Sequence, residues 1–439
     1  MSDNGSNADY GFETLAIHAG AQPEPVTGAR QTPIFQNTSY VFHDADHAAS
    51  LFNLMEPGFV YSRLSNPTNA VLEERLAALE GGVGATVVSS GHAAQILALF
   101  PIMSPGCEVI AANKLYGGTL NQMGNSFKKF GWKAAFVDPV DPENFRRAMT
   151  DDTRTIFVES IANPGGVIVD LEAVAAIAHE AGVPFIVDNT MATPFLCRPI
   201  DFGADIVVNS TTKFLSGNGT SLGGAVVDTG DFPWLNHAEK FPSLAKPAAE
   251  YHGLTFAETF GNLAYTTYAH AVSLRDLGAS QQPMNAWLTL LGLETLPLRM
   301  ERHCANAEIV AAWLENHSAV NWVSYAGLES SPFNALQRKY MPRGGGSVFT
   351  FGLKGGFDAG IRLVEGVRLF SHLANIGDAR SLILHPASTT HRQLTDDQRT
   401  AAGAGDDVIR LSVGLETAGD LIADLDRALK AATHQMAAE

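Results

Sequence analysis

Short unbroken apolar runs, separated by amphipathic stretches, set the rhythm of the chain over residues 84–228. They predict strands over 85–88, 109–111, 134–137, 155–158, 185–187, 205–208 and 224–227. Between them lie helical patterns. One begins at Asn66-Pro67-Thr68, carries Leu72, Leu76 and Leu79 on one face and stops at Gly81-Gly82. Others are expected over 93–103 and over 171–179, the latter closed by Ala181-Gly182. Strands apolar at every position are buried on both faces, and their alternation with helices predicts an α/β fold with a mostly parallel sheet.

The flanking regions read differently. Residues 1–67 hold turn signals (Gln22-Pro23-Glu24-Pro25, Glu56-Pro57-Gly58) and little periodicity, as expected of an arm that drapes over its own body or reaches a neighbour. Residues 229–262 break the rhythm and read as an inserted loop. A long helical pattern over 285–316 is interrupted by Pro297, and strands are expected near 321–326, 347–353 and 408–413 in an α+β tail. At 439 residues the chain exceeds the size of a single core. Its expected division is an arm (1–67), a larger domain (68–290) and a C-terminal domain (291–439).

Charge and composition narrow the class. With 29 basic and 46 acidic side chains the net charge is −17, which argues against nucleic acid or anionic membrane as a partner. Cys107, Cys197 and Cys304 are scattered and odd in number, so a reducing compartment is favoured over a disulfide framework. No apolar run approaches the ~18 residues of a membrane span. The start of the chain lacks the basic-then-apolar pattern of a signal peptide, and a cytoplasmic protein is expected.

Candidate chemistry centres on Asn209-Ser210-Thr211-Thr212-Lys213-Phe214. A lysine behind an apolar strand is desolvated toward its neutral amine, the form that makes a Schiff base, and Ser210 and Thr212 offer hydroxyls to a phosphate oxygen. An ordinary strand-end lysine fits the short motif equally well. Asp188 ends the strand before it, where a buried carboxylate needs a partner; a pyridinium nitrogen is one, and a structural cap is the other. Ser90-Gly91-His92 lies between strand and helix, where free N–H groups hold anions, unless it is a plain turn. Tyr116, beside Gly117 and Gly118, is suited to stacking on an aromatic ring or to packing in its loop. Arg410, alone in an apolar strand, suits a substrate carboxylate or a structural ion pair. A dinucleotide fingerprint fails at Leu222, and His43 and His47 lack companions for a metal site, so no metal is expected.

Taken together, Tyr61-Ser62-Arg63, Asn66-Pro67-Thr68, Ser90-Gly91-His92, Leu115-Tyr116-Gly117, Val187-Asp188-Asn189-Thr190, Ser210-Thr211-Thr212-Lys213, Ser381 with His385 to His391, and Ile409-Arg410-Leu411-Ser412 resemble the Cys/Met-metabolism family of pyridoxal-phosphate enzymes over nearly the whole chain. The resemblance implies an aspartate-aminotransferase-type (fold type I) architecture, with pyridoxal 5'-phosphate bound in the larger domain. It assigns Lys213 to the Schiff base, Asp188 to the pyridine nitrogen and Tyr116 to the ring face. Gly91, His92, Ser210 and Thr212 would hold the phosphate. Asn163, Ser381 and Arg410 would receive the substrate carboxylate or the ring oxygen. Tyr61 and Arg63 would reach the phosphate of a neighbouring subunit, so that a homo-oligomer, at least a dimer and usually a tetramer, is implied.

Within the family, His92 stands where other branches usually carry methionine, and Gly118 where one lyase branch carries cysteine. Together with the 229–262 insertion and Phe370-Ser371-His372-Leu373-Ala374-Asn375, these favour the branch that performs γ-replacement. The implied substrates are O-acetyl-L-homoserine and sulfide or methanethiol. Succinyl activation, cystathionine synthesis and a lyase reaction giving a 2-oxo acid and ammonia stay open on the same scaffold, as does a silent oligomeric binding protein that merely keeps the fold.

Overall fold

The computed structural model describes residues 10–163, 166–390, 392, 399 and 403–434; His391, which belongs to a motif named above, lies outside them. Seven strands form the larger sheet: β1 (Gly84–Val88), β2 (Glu108–Ala112), β3 (Lys133–Val137), β4 (Thr153–Glu159), β5 (Phe185–Asp188), β6 (Ile206–Asn209) and β7 (Gly224–Asp228). Their order is β1-β7-β6-β5-β4-β2-β3, and only β7 runs against its neighbours. The sheet is therefore mostly parallel, as its unbroken apolar strands require.

Helix α1 (Pro67–Glu80) starts on Asn66, whose side chain accepts from Thr68 N, with Pro67 in the first turn; it ends on Gly81 at φ 88, a conformation that favours glycine. Leu72, Leu76 and Leu79 are buried as their spacing predicts. Helix α2 (Gly91–Leu99) is shorter than its apolar pattern, because Pro101 just beyond its C-cap Phe100 has no N–H to continue the ladder. Helix α3 (Leu171–Glu180) is capped by the Asp170 side chain. The long helical region divides beside Pro297 into α4 (Pro283–Glu294) and α5 (Leu296–Glu315).

A second sheet of β8 (Val320–Ser324), β9 (Val348–Leu353), β10 (Ser371–His372), β11 (Leu382–Leu384) and β12 (Val408–Ser412) has the order β10-β11-β12-β9-β8. It is covered by α6 (Gly356–Gly366) and α7 (Ala418–His434). The core of the first sheet takes in α5 as far as Cys304, and the core of the second begins at Ala307 on the same helix.

The segment read as an inserted loop is a chain of short helical turns around Trp234, Phe241, Leu244 and Phe256, all buried. Its prolines break periodicity without preventing an aromatic cluster; Trp234 and Tyr265 stack at 5.8 Å. The start of the arm packs on its own body through Phe12–His18, where Ala16 is fully buried and the Phe12 ring meets Phe195 at 5.5 Å. Beyond it, Val41, Phe52 and Met55 are exposed.

Candidate active site

Parallel strands β4, β5 and β6 end side by side on Glu159, Asp188 and Asn209, and the chain after β6 turns through Ser210 to Lys213. Ligands of open α/β sheets bind beyond these carboxyl ends. Here they bound a cavity of ≈ 230 Å³, lined by Ser90, Gly91, His92, Tyr116, Asn163, Asp188, Ser210, Thr212, Lys213 and Arg410 among others.

Lys213 sits in a loop fixed from behind. The buried Arg299 guanidinium donates to Phe214 O and Gly292 O, both at 2.7 Å, so the carbonyls after the lysine have partners without a strand. Gly217 leaves room for this arginine: a Cβ there would meet Arg299 Nη1 at 2.2 Å. The Lys213 ammonium donates to Asn375 Oδ1 at 2.5 Å. Burial, and then the positive charge of Arg410, pull its pKa down to about 8.

Asp188 Oδ1 accepts from Thr190 N at 3.0 Å, and Oδ2 faces Gln95 Nε2 at 3.4 Å. Burial raises its pKa, opposed by the hydrogen bonds from Thr190 and Gln95. Beside it, Glu159 is pushed well above the carboxylate range by burial and then by the charge of Asp188.

Ser90 caps α2 by accepting from Ala93 N at 3.1 Å, which leaves the N–H groups that open the helix toward the cavity. Gly91 lies so close to Ser210 that a Cβ would meet its Cβ at 2.7 Å, which brings the helix start and the Ser210 loop together. The Tyr116 ring stands over the cavity, stacked on His92 at 5.9 Å between centroids. A buried acid, an amine, an aromatic face and a cradle of N–H and hydroxyl groups in one cavity fit pyridoxal phosphate: acid to pyridine nitrogen, amine to aldehyde, cradle to phosphate.

Elsewhere on the cavity wall Arg410 donates to Asn163 Oδ1 and to Asn375 O, both at 3.3 Å. It makes no ion pair with a carboxylate among the described residues, and burial lowers its pKa to about 10. Ser381 is not at this wall. Its hydroxyl donates to Glu416 Oε2 and accepts from Gly414 N, both at 2.8 Å, and these bonds draw the side chain into the fold behind the cavity. Tyr61 and Arg63 do not reach their own chain's cavity either; Arg63 Nη1 donates to Arg275 O at 3.0 Å and its guanidinium lies over the Tyr61 ring at 5.6 Å.

Asn375, Glu159, Gln95 and Thr190 line the cavity without having been singled out as candidates. Glu159 carried the same signal as Asp188, a carboxylate ending an apolar strand. Gln95, on the second turn of α2, and Asn375, in a loop of the smaller domain, carried none.

Fold and site together define a pyridoxal-phosphate-dependent enzyme of the aspartate-aminotransferase type. Residues 13–430 match the Cys/Met metabolism PLP-dependent enzyme family, and the chain belongs to it. It is 49% identical over 427 residues to the O-acetyl-L-homoserine sulfhydrylase of Leptospira meyeri, covering 95% of this chain and 96% of that one. It is 47% identical to the homocysteine synthase of Schizosaccharomyces pombe, covering 96% and 98%. A crystal structure of a Campylobacter jejuni protein, assigned as an O-acetylhomoserine (thiol)-lyase and containing N'-pyridoxyl-lysine-5'-monophosphate, superimposes with a TM-score of 0.93 at 41% identity, over 96% of this chain and 100% of that one.

Proposed function

We propose that the protein converts O-acetyl-L-homoserine and sulfide, or methanethiol, to L-homocysteine, or L-methionine, and acetate by γ-replacement. One observation carries this reading beyond the names of the relatives: Arg410 is a buried guanidinium that, among the described residues, has two long contacts to Asn163 Oδ1 and Asn375 O and no carboxylate, and it lines the same cavity as the Lys213 amine. An α-amino acid supplies the missing carboxylate, which Arg410 binds in bidentate fashion with Asn163 beside it. Among the described residues the lining adds no further lysine or arginine for a second carboxylate, which favours an acetyl over a succinyl donor.

Bound through Lys213, pyridoxal phosphate supplies an electron sink for the pair released at the α-carbon. The residues do the rest. Gly91, His92, Ser210 and Thr212 hold the phosphate, and Asp188 keeps a proton on the ring nitrogen. Tyr116 covers the ring face. Lys213, released when the substrate amine takes its place, would remove the α-proton; with its pKa pulled down to about 8, part of it is the neutral amine near pH 7.5, the form that accepts a proton. Loss of a β-proton would then expel acetate from the γ-carbon, and the thiol would add there as protons return to the β- and α-carbons.

The chain is further read as a homo-oligomer, at least a dimer, whose arm brings Tyr61 and Arg63 to the phosphate of a neighbour. The exposed Val41, Phe52, Met55 and Tyr61 on the arm support this reading. Among the described residues no helix is long and apolar enough to cross a membrane. The test of the activity is to follow homocysteine and 2-oxobutanoate together while sulfide is titrated against O-acetylhomoserine. Homocysteine should dominate. Oxo-acid formation from L-methionine at the rate of the sulfide reaction would replace γ-replacement by a lyase reaction.

A further inference from the structure

Glu159 ends β4 as the register partner of Asp188 on β5. Paired positions on adjacent parallel strands send their side chains to the same face, with the strands ~4.8 Å apart. Two acids therefore share the floor of the cavity, and both line it. Asp188 has a role in the proposed chemistry; Glu159 has none. It also has no cation: among the described residues its side-chain partners are backbone N–H groups, Tyr116 N at 2.7 Å on Oε1 and Asn163 N at 3.0 Å on Oε2.

These two amides belong to the two loops that shape the substrate side. Tyr116 leads out of the turn after β2, and its ring covers the cavity. Asn163 follows β4, and its Oδ1 accepts from Arg410 at 3.3 Å. Burial and the charge of Asp188 raise the Glu159 pKa, and the two N–H donors act against that rise, because an ionised carboxylate accepts from both without turning an O–H toward either. Hydrogen bonds to an ionised acceptor are roughly twice as strong as neutral ones, which offsets part of the cost of burying this charge.

We propose that Glu159 is a positioning residue of the active site: its two oxygens tie the Tyr116 and Asn163 backbones to the strand end that carries Asp188, so that ring cover and carboxylate clamp are held at one distance from the acid. The proposal rests on the reading of the site as one for an α-amino acid, but not on the leaving group or the thiol. A carboxylate placed only to complete the fold would affect melting and nothing else.

The experiment compares the holoenzyme with its Glu159→Gln variant, which keeps one acceptor and turns an N–H₂ toward the other amide. L-Norleucine, which has the α-amino acid core and no leaving group, is titrated by the change in cofactor absorbance. We expect its dissociation constant to rise roughly tenfold or more, the loss of one charge-assisted hydrogen bond. The pH midpoint of the cofactor absorbance should also fall, because the variant gains no negative charge near Asp188, Lys213, Arg410 and His92 as pH rises. An unchanged dissociation constant and an unchanged midpoint overturn the proposal, whether or not the melting temperature drops. Should the variant not fold, hydrogen exchange in the wild-type holoenzyme decides: slow exchange at the Tyr116 and Asn163 amides supports the tie, and exchange at the rate of an open loop overturns it. A wild-type enzyme that makes no homocysteine would remove the γ-replacement reading and leave the norleucine result standing.

Discussion

Lys213 Nζ and Asn375 Oδ1 are 2.5 Å apart, a hydrogen bond between the loop after β6 and the loop between β10 and β11. The backbone carbonyl of the same Asn375 accepts from Arg410 at 3.3 Å. One residue of the smaller domain thus touches both the amine that moves protons and the guanidinium proposed to take the carboxylate. The amide oxygen favours the charged amine. Asn375→Asp should favour it more, raising the lysine pKa above about 8, and the acid limb of the kcat profile should move up by roughly one pH unit or more. Asn375→Ala should move the limb the other way and lower kcat. Profiles that shift in the same direction for both variants would rule out a direct hold on Lys213.

Asp188 and Lys213 were legible in the sequence because each is locally anomalous: an acid closing Phe185-Ile186-Val187, and a lysine following Ile206-Val207-Val208. Asn375 was not, since an asparagine in a loop is ordinary and its partner is 162 positions away. Nor does the sequence around Ser381 show the partner of its hydroxyl, which is Glu416, 35 positions on. The strands of the larger sheet could be read from unbroken apolar runs. β10 and β11 could not, because runs of two and three residues are too short to show a period.

Replacing Asp188 by Asn keeps the size and the contact from Thr190 N but removes the charge proposed to hold a proton on the ring nitrogen. The variant should fold and bind pyridoxal phosphate, yet exchange the substrate α-hydrogen with solvent on the order of a hundredfold more slowly, in the range typical of lost acid–base support. The check is deuterium incorporation into L-norleucine by NMR. Exchange at the wild-type rate would free Asp188 from that role.

Gly118 is small for a reason that lies in the site. A Cβ there would meet Tyr116 Cε1 at 2.4 Å and His92 Cε1 and Nε2 at 2.9 Å. Real side chains do not tolerate such contacts, so Gly118→Ala must push the Tyr116 ring off the position where it stacks on His92. We expect a drop in kcat/KM of roughly tenfold, with the melting temperature nearly unchanged because the turn lies at the cavity rather than in a core. A variant with wild-type kinetics would show that the position of the Tyr116 ring does not matter to turnover.

Two acids away from the chemistry shape stability. Burial raises Glu80, held by Asn189 and Asn209, and Asp228, held by Gly230 N and Thr266, to about 7 each. Both pKa values lie above those of the unfolded chain, so between the two the folded state binds more protons and stability falls as pH rises. The contribution is fully present below about pH 4 and is lost as pH rises through about 7. The urea midpoint should therefore be lower at pH 8.5 than at pH 6, and Asp228→Asn should flatten the slope. A midpoint that rises over this window would mean that these acids ionise without cost in the folded state.

Arg63 gives the sharpest test of assembly. In its own chain it is spent on Arg275 O and on the Tyr61 ring, outside the cavity. Among the described residues, the proposed phosphate cradle of Gly91, His92, Ser210 and Thr212 holds no arginine of its own, although a phosphate dianion calls for one. If the arm delivers Arg63 to a neighbour, Lys213→Ala and Arg63→Ala chains should each be inactive alone, the first also without the yellow cofactor absorbance. Mixed after subunit exchange, they should recover activity, because a hybrid dimer holds one site with both residues intact. In a two-fold symmetric dimer, random pairing of equal amounts restores about a quarter of the wild-type sites. Mass spectrometry of the mixture verifies that hybrids have formed. Hybrids with no activity would assign Arg63 to its own chain and leave the neighbour's phosphate to other groups.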